Sequence, residues 1–284
     1  MRRPRRFRWI ASTLSLAGIG VAVSIAYGVV RPLPQGPLLE AVKARGKLVV
    51  GVRQYARPAP PKAPTAPEPD HFDVAMARFI AGRLGVELQV VGLPGEPGSA
   101  VWRAAQRNVD IMVAGATHGG DDMPTVSAAY ATGAGSLLVL RGSPYQRASD
   151  LRGKTVCVGQ GSAYVSQLER ETQAMPKIYA SSIRAASGFM AGECQALADD
   201  EPVIARLRTL QEWRFYRALD TAVQADSNGA RIVLHALDPQ STAWLDHAVY
   251  DWRRNGALER AREQRAGDIA FEASQLQDGL VCHS

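Results

Sequence analysis

Two segments of this chain carry residue types suited to holding a small dipolar molecule. Thr155-Val-Cys-Val-Gly-Gln-Gly-Ser162 reads as a buried strand, a glycine turn and a helix start. Backbone N–H groups at such a turn and helix tip, here Gly161 and Ser162, lack intrahelical partners and carry partial positive charge, which suits an anion. Ala191-Gly-Glu-Cys-Gln-Ala-Leu-Ala-Asp-Asp200 reads as a helix end, a strand and two carboxylates, which suit a cation. Parallel sheets bind ligands at the C-terminal edge of their strands, where both groups fall. A zwitterion such as an amino acid carries both complementary charges. Each residue also has a plainer use. Ser162 is an eligible N-cap worth about 1 kcal/mol, and Asp199 or Asp200 is an eligible cap for the helix opening at Glu201-Pro202.

Other chemistry is thinly represented. No CxxC or Cys/His cluster has metal-ligand spacing, and Cys282-His283 lacks the preceding cysteine of a haem attachment site. No metal or cofactor is expected. His118 stands alone in a loop. Glu201, Asp199 and His118 are the available acids or bases, but nothing pairs them, so no catalytic residue is assigned. Tyr55 and Tyr130 are placed either to stack on a ligand or to pack at the edge of a lobe. Cys157, Cys194 and Cys282 leave at least one thiol without an intramolecular partner if a disulfide forms.

The elements that position these residues alternate regularly. Lys47–Val52 is a compact β-branched run and hence a buried strand. Phe72, Met76, Phe79, Ile80 and Leu84 fall at helical spacing, closed by Gly85. Glu87–Val91 is a strand, Ser99–Asn108 a helix and Val109–Gly115 a strand. This β-α-β-α-β order predicts a parallel-sheet lobe. Ser136–Leu140 is a strand leading out of that lobe, and Ser143-Pro144 marks a boundary. The alternation restarts with a strand at Lys154–Val158, a helix at Ser162–Thr172 and a strand at Lys177–Ala180. A helix at Ser181–Ala191, a strand at Cys194–Ala198 and a helix from Glu201 complete a second lobe of similar build. Arg231–His235 is a later strand and Thr242–Arg254 a helix, with a further helix from Leu258. Six prolines between 58 and 69 impose an extended loop.

At 284 residues the chain accommodates two domains of ordinary size. Its net charge of +6 is misleading: Arg2, Arg3, Arg5, Arg6 and Arg8 supply five units, leaving +1 for the rest. A mixed, solvated surface is expected, with no nucleic-acid partner. Trp9–Val30 contains no charged residue. Its 22 residues are enough to span a bilayer, and Ser24-Ile-Ala26 offers a small-x-small cleavage site. Residues 1–30 are therefore read as either a cleaved export signal or an uncleaved membrane anchor. In both cases the arginines stay cytoplasmic and the body is exported, to the periplasm or to the outer face of the cytoplasmic membrane. An oxidising compartment permits a disulfide.

Four stretches together resemble the extracytoplasmic solute-binding proteins of bacterial ABC transporters, in the class for polar amino acids. Gly46–Val52 resembles the opening strand of that family. Phe72–Gly85 resembles its "FDVDLAxxxAxxLG" helix, Asp150–Ser162 its "DLKGKxVxVxxGS" lead into the second lobe, and Ala191–Asp200 its "xGxCDAxxxD" strand. The resemblance spans roughly residues 38–262 and implies an α/β fold of two parallel-sheet lobes joined by crossing strands, periplasmic binding protein-like of type II. The implied organisation is 31–37 as a tether, 38–142 as lobe one, 143–228 as lobe two, and 229–284 as a segment returning to lobe one. The resemblance further implies that Ser162, beside Gly161, meets a ligand carboxylate, that Asp200 meets an ammonium, and that Thr117 touches the ligand from lobe one. Tyr55 joins these as a candidate contact. Some family members carry cysteines at both equivalent positions, so a Cys157–Cys194 bridge is expected. Closing about 37 residues contributes about 4 kcal/mol in the chain-entropy model.

The chain also departs from this pattern. The family's "TxTPER", whose arginine grips a ligand carboxylate bidentately, is replaced by Thr117-His-Gly-Gly-Asp-Asp-Met-Pro-Thr-Val126, with no arginine. Arg57 and Lys62 are the candidate substitutes. The leading expectation is a non-enzymatic binding protein that captures a small polar, amino-acid-like ligand for an ABC permease. The alternatives are a membrane-tethered sensor or accessory protein on the same fold, and a periplasmic dehydratase-type enzyme.

Overall fold

Strand β1 (Lys47–Ala56) organises the first lobe, because its alternate residues Leu48, Val50 and Val52 are fully buried. The computed structural model describes residues 33–56, 66–95, 98–115, 123–226 and 229–278, and Pro34–Ser284 form one unit. Helix α1 (Gly36–Arg45) leads into β1 through Gly46, whose φ of 73° ends the helix. Strands β3 (Glu87–Leu93) and β4 (Ile111–Val113) flank β1 and run parallel to it, while the short β2 (Pro67–Pro69) pairs antiparallel with the end of β1. Helix α2 (His71–Leu84) begins at Asp70, whose carboxylate accepts the Asp73 N–H at 3.0 Å. It buries Phe72, Met76, Ile80 and Leu84 against the sheet, as its periodicity predicts. Helix α3 (Ala100–Gln106) covers the other face through Trp102.

The second sheet is built on β6 (Thr155–Gly159), flanked in parallel by β7 (Met175–Tyr179) and β8 (Ala196–Asp200). Strand β5 (Ala134–Leu140) runs antiparallel beside β8 and carries β9 (Tyr216–Ala218) and β10 (Val223–Gln224) on its far side. The change of sheet thus falls between Tyr130 and Ala134, and Ser143-Pro144 follows it. Helices α4 (Val165–Gln167), α5 (Ser182–Met190) and α6 (Glu201–Leu207) complete this lobe. Ser162 does not cap a regular helix. Its N–H donates to Gly159 O at 3.1 Å within a turn, and Tyr164 holds the cap position of the short α4.

Two segments cross between the lobes side by side. Val126 N–H donates to Ile232 O at 3.0 Å, and Tyr130 N–H donates to Ala230 O at 2.8 Å. Strand β11 (Ile232–Leu234) then pairs antiparallel with β4 in the first sheet. Helix α7 (Pro239–Arg254) packs Trp244, Leu245, Ala248, Val249 and Trp252 into the first core. Helix α8 (Ala257–Asp278) crosses a third time. Leu258 and Ala261 belong to the core of the first lobe, whereas Ala266, Ile269 and Ala273 belong to that of the second. Cys157 and Cys194 form a disulfide with a Cα–Cα distance of 5.7 Å. The parallel pairing of β6 with β8 brings them together. Cys282 lies outside the described residues, as does the N-terminal hydrophobic segment. Among the described residues no helix is long and apolar enough to cross a membrane.

Candidate functional site

The C-terminal ends of β1 and β4 face those of β6 and β8 across a cavity of about 50 Å³. Its lobe-one wall presents Arg53, Asp73 and Tyr130, and its lobe-two wall presents Gly161, Ser162 and Asp200. The two walls touch. A Cβ on Gly115 would lie 2.8 Å from the Gly161 Cα, and a Cβ on Gly161 would run into the Arg53 guanidinium. Both glycines have positive φ, 72° and 78°, so chain direction and contact each favour glycine there.

Three of the expected site residues converge on this cavity: Gly161, Ser162 and Asp200. Asp200 occupies the N-cap position of α6 but makes no capping hydrogen bond. Its carboxylate turns into the cleft, where it accepts from Tyr164 Oη and from Arg265 Nη1 at 2.7 Å. Ser162 Oγ accepts the Tyr164 N–H at 3.3 Å. Tyr55 lines an adjoining cavity of about 30 Å³ with Asp70, His71 and Glu272. That cavity shares Arg53, Ser182 and Arg265 with the first. Burial and the nearby Asp70 push the Tyr55 phenol above its ordinary range. Tyr130 packs in the lobe: it is fully buried, stacks on Phe72 at 6.2 Å and donates to Asp73 at 2.7 Å. Thr117, His118, Arg57 and Lys62 lie outside the described residues.

The charges in the cleft are arranged as internal pairs. Arg53 Nε donates to Asp73 Oδ2 at 2.8 Å, its Nη2 lies 3.5 Å from Asp70, and its Nη1 donates to Gln160 O of the opposite lobe. Arg265, from α8, donates to Asp199 and Asp200, both at 2.7 Å, and to Ser182 Oγ at 2.6 Å. Arg262 donates to Ala134 O at 2.7 Å and sits 4.0 Å from Asp200. Burial pushes the Asp73 carboxyl up to about 6 despite Arg53 beside it. Burial also opposes ionisation of Asp70, but Arg53 and Arg265 hold it below the usual carboxylate range. Both guanidiniums stay charged, because the acids outweigh the cost of burial. Among the described residues no cluster of His, Cys, Asp and Glu is arranged to hold a metal ion.

Sequence reasoning missed Arg53, Asp73 and Arg265. Arg53 lies in β1 just beyond the Lys47–Val52 run read from sequence, and Asp73 stands in the "FDV" stretch, so both had a local signal. Arg265 had none, since it reaches acids 65 and 66 residues away.

Two α/β lobes with facing strand edges define the fold of two-lobed substrate-binding proteins. Solved structures of this fold include an amino acid ABC transporter substrate-binding protein from Streptococcus pneumoniae bound to L-arginine. It has 18% identity and a TM-score of 0.57, over 81% of this chain and 98% of that one. A Salmonella typhimurium periplasmic binding protein of high arginine specificity has 16% identity and a TM-score of 0.53, over 77% and 98%. An ancestral amino acid-binding protein, described as a precursor of cyclohexadienyl dehydratase, has 20% identity and a TM-score of 0.53, over 80% and 99%. No protein-family model matches the sequence, and a search of curated proteins finds no relative.

Proposed function

We propose that this protein is an extracytoplasmic solute-binding protein that captures a small polar, amino-acid-like ligand between its lobes for an ABC importer. The observation that carries this reading is the meeting of both strand edges over one cavity. Arg53 stands on one wall, and Asp200 stands with Gly161 and Ser162 on the other. In this reading a ligand carboxylate meets Arg53 and an ammonium meets Asp200, each of which gives up internal partners to receive it. Thr117 is the further lobe-one contact in this reading. The solved structures of similar fold bind amino acids, arginine among them. The hydrophobic leader supports export, and an ABC permease is the expected partner. Binding needs no bond-breaking group; it needs only a higher affinity for the closed state than for the open one.

A thermal-shift screen against amino acids, amines and organic acids tests the reading. A solute at 100 times its dissociation constant adds about 2.7 kcal/mol, which raises the melting midpoint by several degrees. The shift is expected to disappear in Asp200→Ala and to shrink in Ser162→Ala. A screen with no shift counts against solute capture.

One observation favours the second reading, a tethered sensor or accessory protein. The third crossing by α8 roots one helix in both cores. A helix so rooted resists wide separation of the lobes. A coding region beside a signalling or oxidoreductase operon, rather than beside permease and ATPase genes, would favour this alternative.

A further inference from the structure

Arg265 sits where α8 passes from one lobe to the other. Its neighbours Leu258 and Ala261 are anchored in the first core, and Ala266 and Ile269 in the second. From that point its guanidinium reaches the acids at the end of β8. One nitrogen donates to Asp199 Oδ1 and Asp200 Oδ2, each at 2.7 Å, and another donates to Ser182 Oγ at 2.6 Å. Three oxygens around one planar cation make a guanidinium site. Asp199 is almost wholly buried and Asp200 largely so, with side chains 5% and 18% exposed. Their charges are therefore sheltered from solvent screening. Asp200 is also the acid that the solute-binding reading assigns to a ligand cation, so the same place has two claimants.

We infer that Arg265 is a tethered substitute for the cation of a ligand. It fills the cationic half of the cleft, ties α8 to the acids at the end of β8, and must be displaced by any guanidinium- or ammonium-bearing molecule that enters. The free concentration of such a molecule competes with a group held permanently at the site, so its apparent affinity is reduced by the fraction of time that Arg265 is away. The occupied volume agrees with this. The remaining cavity of about 50 Å³ is well below the roughly 300–1,000 Å³ of small-molecule pockets. Withdrawal of a guanidinium frees space of the right charge and shape. The assignment of a natural solute to this site rests on the solute-capture reading, whereas the displacement of Arg265 does not.

Chemical rescue tests the inference on the full chain. Arg265→Ala is expected to lower the thermal midpoint. About 10 mM methylguanidinium chloride is then expected to raise that midpoint by about 3 °C or more. The same concentration of urea, which has the shape without the charge, leaves it unmoved. Wild-type protein shows no rise with methylguanidinium, and the double variant Arg265→Ala, Asp200→Asn loses the rescue. If Arg265→Ala does not fold, Arg265→Gln, which is shorter and uncharged but still fills part of the space and can hydrogen-bond, receives the same titration. Equal shifts in wild type and variant, or no selective recovery in either variant, overturn the inference. A solute that binds wild type while rescue fails removes only this inference. Rescue combined with a flat screen of wild type and Arg265→Ala removes only the solute-capture reading.

Discussion

Asp73 is fully buried between Arg53 and Tyr130, and its proton equilibrium can be read from outside the cleft. An aspartate that ordinarily titrates near 3.8 here holds its proton up to about 6, because burial disfavours the charged form. Between those values the folded chain binds more protons than the unfolded one, so this group makes the fold less stable as pH rises. Its contribution is complete below the ordinary value and lost above pH 6. Asp70 acts in the opposite sense, since it is held low in the fold. Its contribution is present at neutral pH and lost in acid. Asp73→Asn separates the two. The unfolding free energy of wild type minus that of the variant should fall by on the order of 2 kcal/mol between about pH 4 and pH 6 in urea titrations. A difference that stays flat or rises contradicts the assignment. At this scale the sequence marked Gly161, Ser162 and Asp200 by their strand-end patterns, and the structure brings all three to one cavity. It was silent on their partners. Whether Asp200 caps α6 or enters the cleft depends on Tyr164 and Arg265, and no local pattern specifies a contact across 65 residues.

Among the elements, β6 and β8 are tied most firmly. They pair in parallel at Val156–Ala196 and Cys157–Leu197, and the disulfide closes a separation of 37 residues. Tyr179 Oη lies over both sulfurs, 3.5 and 3.8 Å away, and donates to Glu193 at 2.7 Å, so the bridge is covered by side chains. Replacing both cysteines with alanine should cost about 4 kcal/mol, the loop-closure contribution of that span. Chemical denaturation of the oxidised protein and the variant measures it, and a loss under 1 kcal/mol would contradict the view that the bridge limits the unfolded chain. Strands and helices with steady periodicity, such as β1 and α2, were legible because one face of each meets one core. The segment after Ser162 was not. Instead of a long helix it forms a turn, the three-residue α4 and a wider helical turn at Leu168–Thr172. Helix α8 was equally hard to read, because its burial is shared between two cores and carried largely by alanines.

For the whole molecule, the two lobes meet in a closed arrangement whose cleft is occupied by the protein's own ion pairs and hydrogen bonds. Gly115 and Gly161 are in contact, Arg53 reaches Gln160 across the gap, and Arg265 reaches Asp199 and Asp200. The two-lobed plan was legible from repeated strand–helix alternation and four short motifs, although the similar solved structures share only 16–20% identity. The self-filled cleft was not legible, because it depends on how two separately formed lobes come together. A solute that binds here must replace internal ion pairs, so its effect should be concentrated on the backbone lining the cleft. Amide nuclear magnetic resonance of the wild-type protein, titrated with the solute that gives the strongest thermal shift, tests this most directly. The account predicts that the largest chemical-shift changes fall on Gly115, Gly161, Ser162 and Asp200. Changes confined to the outer surface of either lobe, with those four amides unmoved at saturation, would contradict it.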